Sequence, residues 1–222
     1  MRSAVDTMAV KLNNQPNCDL EAHFSRHGLL SIAGLDEAGR GAWAGPVTAA
    51  AVVLPPPDSA LEAQLMGLRD SKQLSATHRE QWDRQIRNLA RFVCVGQASA
   101  EEIDCIGILP STRLAMWRAV EGLNASVDHL LIDYILIGDI GINQTAIPRG
   151  DARIASIAAA SVVAKVARDT MMMTLDLQFP DFGFAQHKGY GTRQHQEALA
   201  SFGPTPIHRH SFAPIRNALA NA

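Results

Sequence analysis

Asp36 and Glu37 stand side by side between two apolar runs, Leu29 to Leu35 upstream and Gly45 to Leu54 downstream. The residues that follow them are Ala38-Gly39-Arg40-Gly41. The upstream run reads as a buried strand, and Gly41 to Gly45 turn it into a second one. Adjacent carboxylates at the mouth of a strand repel each other and are costly unless a cation joins them. That constrains the fold, because the strand end has to meet a cation. Glycines at 39 and 41 clear backbone for close approach of a ligand, and Arg40 suits phosphate. The hexapeptide therefore points to metal-dependent chemistry on an anion.

The rest of the chain supplies further strands and helices around this element. Strands are expected at 30–35, 46–54, 91–98 and 129–133, with the proline triplet at 55–57 ending the second. Ser75 is the expected N-cap of a helix running to about Ala90, with Trp82, Ile86 and Leu89 on one face. Pro110-Ser111 opens another helix, whose stripe is Met116, Val120 and Leu123. A long helix follows Gly150-Asp151, from about Arg153 into Met171–Met173, and its first half consists almost entirely of small residues. Such a face packs closely on a sheet. Short helices near 193–201 and at the C-terminus complete the pattern. Strands followed by helices indicate an α/β domain. The expected division is a tail or short helix outside the core at 1–28, the α/β domain at 29–178, and a C-terminal helical extension at 179–222 that completes the same unit.

At 222 residues the chain suits one large domain, and 47% hydrophobic with 19% charged residues is a globular composition. A net charge of -2 does not announce a nucleic-acid binder, but clustered active-site acids would mask basic residues elsewhere. Cys18, Cys94 and Cys105 have no paired spacing and read as thiols of a reducing compartment. The first thirty residues lack the apolar core of a secretory signal. The most apolar stretch, 130–142, is short and interrupted by Asp133 and Asp139. The expectation is a cytoplasmic monomer with no membrane association.

Two further acids stand where ligands belong in an α/β sheet: Asp133 closes a strand and Asp151 precedes a helix. Together with Asp36 and Glu37 they would make a site for two divalent cations of the kind used in phosphodiester cleavage. Spacing alone leaves other roles open. Asp151 can be an N-cap, Asp133 a turn residue, and Asp139 and Asp169 are competing acids. Asp169 also lies four residues after Lys165, a spacing that makes surface ion pairs.

Asp36-Glu37-Ala38-Gly39-Arg40-Gly41 followed by Gly45-Pro46-Val47 resembles the signature of ribonuclease HII. The resemblance continues in order through Asp70-Ser71-Lys72-Gln73-Leu74-Ser75, Leu131-Ile132-Asp133, Gly150-Asp151, the run Ile157 to Asp169, and His187-Lys188-Gly189-Tyr190-Gly191-Thr192. It covers about residues 30–215. It implies an RNase H-like three-layer fold, with a mixed central sheet flanked by helices and the C-terminal helical extension beyond it. It also implies endonucleolytic cleavage of RNA paired with DNA, and incision 5′ of a single ribonucleotide in duplex DNA, leaving 3′-hydroxyl and 5′-phosphate ends. The substrates are then RNA–DNA hybrids and ribonucleotide-containing DNA duplexes.

By the same resemblance Asp36, Glu37, Asp133 and Asp151 bind Mn or Mg as catalytic acids. Gly39, Arg40 and Gly41 read the ribose 2′-hydroxyl, Tyr190 stacks on the sugar at the RNA–DNA junction, and Ser71 and Lys72 lie near the phosphates. The chemistry agrees. The 2′-hydroxyl is the one group separating the two sugars, so its reader needs backbone groups at close range. Arg40 remains open to pairing with Asp36 or Glu37, Lys72 to solvation, and Tyr190 to anchoring its loop. The family's usual glycine after the third acid is here Tyr134, which keeps Asp139 open as a ligand. Ribonuclease HIII typically has lysine where Arg40 stands, together with a larger N-terminal domain.

Rival readings fit less well. A catalytically inert hybrid-binding module needs basic surface, and Arg79, Arg84 and Arg87 fall on one expected helix with a solvated face. A nucleotide-binding oxidoreductase needs G-x-G-x-x-G, whereas this loop reads G-R-G-A-W-A-G behind two acids. His187, His195, His208 and His210 are irregularly spaced and have no cysteine nearby, which argues against zinc.

Overall fold

The computed structural model describes residues 12–220. In chain order its elements are α1 (Asp19–Arg26), β1 (Ile32–Ala38), β2 (Val47–Val53), α2 (Ser59–Gln64), α3 (Ala76–Leu89), β3 (Phe92–Ala98), α4 (Ala100–Ile106), α5 (Ile108–Glu121), β4 (His129–Asp133), β5 (Asn143–Ile147), α6 (Ala155–Gln178), α7 (Phe184–His187), α8 (Arg193–Phe202) and α9 (Ala213–Ala220). Single helical turns occur at 71–73, 150–152 and 180–182.

The five strands form one mixed sheet in the order β3-β2-β1-β4-β5. β1 to β3 are an antiparallel meander, and β4 and β5 add in parallel on the other side of β1. Helices cover both faces, as the RNase H-like expectation requires. On one face α3 and α6 enclose a core of Val52, Leu68, Ile86 and the alanines of α6. On the other, Ile103, Met116 and Ala119 of α4 and α5 pack on Leu35, Val47 and Ile132.

The small-residue half of α6 is what lets it lie on β1. A Cβ built on Gly34 would stand 2.1 Å from the Ser156 carbonyl carbon, so only glycine fits beneath the helix at that crossing. At its N-terminus the helix is tied to α1, where Glu21 Oε1 accepts the Ser156 N–H at 2.9 Å.

Several boundaries differ from the sequence expectation. β1 runs on to Ala38, so Asp36 and Glu37 lie inside the strand, held by pairing with β2 opposite Ala50 and Ala49. Helix α1 is not outside the core: Leu20 and Phe24 are buried with Ile32, Leu131 and Ile147. Residues 1–11 of the expected tail lie outside the described residues. β5 has no counterpart in the sequence expectation, because it is an edge strand of polar residues, Asn143-Gln144-Thr145, with little apolar alternation to mark it. The C-terminal segment folds back on the β1–β2 connection, where Ala44 bridges His208 and the Arg209 guanidinium donates to the carbonyls of Gly45 and Arg40.

Candidate active site

Parallel pairing aligns β1 and β4 so that Leu35 lies opposite Ile132, and each strand places an acid one residue further on, Asp36 and Asp133. β4 ends there. Asp133 Oδ1 accepts the Gly150 N–H at 2.7 Å, which holds the helical turn carrying Asp151 beside it. Glu37, Asp133 and Asp151 line a pocket of about 410 Å³ together with Arg40, Lys72 and Tyr134. Asp36 lies just below, 4% exposed. Three distant segments thus deliver four carboxylates to one place.

Their electrostatics reflect that crowding. Burial, followed by the charges of Glu37 and Asp133, pushes the Asp36 carboxyl well above its usual range, against a hydrogen bond from Ser161. Burial also raises Glu37, although Arg40 opposes it. Asp133 is raised by burial and by Asp151, against the Gly150 hydrogen bond.

Two cations of the chain itself answer part of this charge. Lys72 Nζ stands 3.3 Å from Asp151 Oδ2 and 3.8 Å from Asp70 Oδ1, and Arg40 Nη1 stands 3.3 Å from Glu37 Oε1. Burial works to lower the Lys72 ammonium, and the carboxylates of Asp70, Asp151 and Asp36 outweigh it, so the group is raised. With these pairs in place, no three carboxylate, imidazole or thiol groups among the described residues converge tightly enough to hold a metal ion. The donor chemistry nonetheless fits hard divalent cations, since it consists of carboxylate oxygens held at high mutual cost. Glu37 Oε2 is buried with no hydrogen-bond partner, an orphan that a cation would satisfy. The fit requires the four side chains to draw together as Lys72 and Arg40 yield.

The remaining expected residues are distributed as follows. Gly39, at φ +92°, closes the turn after β1, and a Cβ there would lie 1.9 Å from Arg168 Nε. Gly41 faces open space. Ser71 is buried, its hydroxyl 2.9 Å from that of Ser161, so it supports the site from behind rather than lining it. The Tyr190 ring lies under the Arg168 guanidinium at 5.4 Å and near Lys165 at 5.6 Å.

Of the competing acids, Asp139 accepts the Gly141 N–H in the β4–β5 loop, outside the pocket, and Asp169 pairs with Lys165 at 2.7 Å. Sequence reasoning missed Arg149 and Arg168. Arg149 lines the pocket with a left-handed backbone, φ +57°. Arg168 is wholly buried and donates to the carbonyls of Pro46, Lys188 and Ala44, tying the glycine turn to the tyrosine loop. An arginine in the middle of α6, just past its small-residue half, was the available signal.

A larger cleft of about 580 Å³, between residues 13–19 and 62–69, contains none of the expected residues.

Comparisons with known proteins bear on the family and the fold. A family model described as Ribonuclease HII matches residues 33–215. The Ribonuclease HII of Chloroflexus aurantiacus is 51% identical over 204 residues, 92% of this chain and 96% of the relative. The ribonuclease H2 structure from Pyrococcus horikoshii OT3 superposes with a TM-score of 0.71 at 23% identity, covering 86% of this chain and 98% of that one. Bst-RNase HIII in complex with Mn2+ gives a TM-score of 0.71 at 22% identity, over 90% of this chain and 73% of that one. At these identities the two structures speak for the fold.

Proposed function

The chain belongs to the ribonuclease HII family, and on that premise we propose a divalent-cation-dependent endonuclease that hydrolyses the RNA strand of RNA–DNA hybrids. It also incises duplex DNA on the 5′ side of a single embedded ribonucleotide. Cleavage breaks the bond between phosphorus and the upstream 3′ oxygen, leaving a 3′-hydroxyl and a 5′-phosphate.

The observation that carries this reading is the convergence of Asp36, Glu37, Asp133 and Asp151 from β1, β4 and the turn before α6. Mg or Mn would be held by these four carboxylates. Bound there, the cations supply Lewis acidity toward the phosphodiester and a more acidic water.

The chain's own groups do the rest. Lys72, more than half exposed and already at the rim of the acids, pairs with substrate phosphate when it leaves Asp151. Arg40 does the same on leaving Glu37. The backbone of Gly39, Arg40 and Gly41 approaches the 2′-hydroxyl, in a turn that a φ of +92° and the Arg168 side chain packed against position 39 reserve for glycine. Tyr190 offers a flat ring to the sugar, and Ser71 fixes the segment that carries Lys72. We place the enzyme in the cytoplasm as a monomer.

A single gel tests the proposal. Duplex DNA with one internal ribonucleotide, and separately an RNA–DNA hybrid, are incubated with the protein and Mn or Mg, with and without EDTA. Cutting 5′ of the ribonucleotide that EDTA stops and added cation restores is the expected result. Tight binding of both substrates without any cutting would mean an inert hybrid-binding module instead.

A further inference from the structure

Three imidazoles of the C-terminal segment share one apolar cluster: His187 at the end of α7, His195 on α8, and His208 ahead of α9. They are 8%, 0% and 1% exposed. The His187 and His195 rings stack at 4.5 Å, with Phe184, Phe182 and Trp43 around them.

Hydrogen bonding assigns the protons. A backbone N–H can only donate, so the Thr205 N–H at 2.9 Å makes His208 Nδ1 an acceptor. The proton of neutral His208 is then on Nε2 and is donated to His195 Nε2 at 2.9 Å. His195 consequently carries its proton on Nδ1 and gives it to the Tyr190 carbonyl at 3.1 Å. In the same way the Gly189 N–H, 3.2 Å from His187 Nδ1, directs the Nε2–H of His187 to the Phe182 carbonyl at 2.8 Å. Every ring nitrogen of the three is engaged, so a metal would have to break this chain to bind. Burial keeps His195 and His208 neutral, both lowered to about 4.

The chain ends on the main chain of Tyr190, the residue proposed above to meet the sugar. Gly189 and Tyr190 are each held by one imidazole, and the Gly189 carbonyl accepts the Trp43 N–H at 2.8 Å from the segment leading to β2. We propose that His208 and His195 are positioning residues for Tyr190, their single direction of N–H donation holding its backbone so that the ring meets the sugar at a ribonucleotide junction. This rests on the reading that Tyr190 contacts substrate. An apolar ring at 208 would fill the same volume, but it would leave His195 Nε2 without a donor and its tautomer unspecified.

The test uses His208→Phe, His208→Gln and Tyr190→Ala in the full-length enzyme, assayed on single-ribonucleotide duplex and on RNA–DNA hybrid. His208→Phe should lower kcat on the single-ribonucleotide substrate by about tenfold while changing hybrid cleavage less than about threefold and KM little. His208→Gln, which keeps an N–H donor, should recover most of the loss. In the Tyr190→Ala background His208→Phe should have no further effect on the junction substrate, since both act through one group. Parallel losses on both substrates that follow a fall in Tm, or a loss that persists without Tyr190, would overturn the proposal.

A 15N spectrum of the imidazoles in the unaltered protein tests the direction of the hydrogen-bond chain independently of activity and of whether the variants fold. His195 as the Nδ1–H tautomer and His208 as the Nε2–H tautomer support the relay, and any other pair of tautomers refutes it. If the unaltered protein cuts neither substrate, the functional reading fails, and the spectrum still judges the relay.

Discussion

The Asp133 carboxylate accepts the Gly150 N–H at 2.7 Å, so the acid that ends β4 also secures the turn presenting Asp151. Charge and scaffold can therefore be separated at one position. Asp133→Asn keeps an oxygen for Gly150 but removes the negative charge. Turnover should fall by about a thousandfold or more with Tm and hybrid binding preserved. Asp133→Ala should lose turnover and also about 1–2 kcal/mol of stability, because the buried N–H is left unpaired. Cleavage assays and thermal melts read both. Full activity in Asp133→Asn would remove Asp133 from the ligand set.

Asp36 is expected to cost the metal-free protein stability. Its carboxyl is raised by burial and by Glu37 and Asp133. A raised folded-state pKa stabilises the protein at low pH, and the contribution is lost as pH rises through that value. Asp36→Asn should thus raise the Tm of metal-free protein at neutral pH while abolishing cleavage, and the gain should shrink toward acid pH as Asp36 takes up its proton. Melts in EDTA across pH 4.5 to 8 check the sign, and a gain that grew on acidification would refute it.

Tyr134 holds a left-handed backbone at φ +64° and is 70% exposed. A bulky residue in that region is strained by about 1–2 kcal/mol, offset in glycine by greater freedom of the unfolded chain. Tyr134→Gly should therefore stabilise the protein by roughly 0.5–1 kcal/mol in urea unfolding. Destabilisation would mean the ring makes contacts that outweigh the strain.

Gly34→Ala should be among the most damaging single-methyl additions in the chain. The new carbon would lie 2.1 Å from the backbone of Ser156 with no flexible side chain to move aside. Parting α6 from β1 should cost about 2–4 kcal/mol, and because α6 follows the Asp151 turn, activity should fall with it. A Tm unchanged within a degree or two would contradict the close crossing.

Much of this molecule could be read from its residues in order. The strand before Asp36, the long small-residue helix after Asp151 and the Ser75 cap follow from local rules of periodicity, capping and turn chemistry, which act over a few residues. The motif blocks likewise pointed to Asp36, Glu37, Asp133 and Asp151, because a residue's type is legible wherever along the chain it stands. Other features had no local signature. β5 is a strand only because β4 offers it a partner, and α1 is core only because Leu20 and Phe24 find β4 and β5. Arg40 and Lys72 pair with Glu37 and Asp151 because crowded carboxylates attract the nearest cations, a long-range effect of charge. The imidazole chain beneath Tyr190 also exists only in three dimensions. It joins residues 190, 195, 205 and 208 by bonds whose direction is set by one backbone N–H, that of Thr205, which His208 faces. Local chemistry chooses residue types and elements, whereas burial and charge, summed over the folded chain, choose their partners.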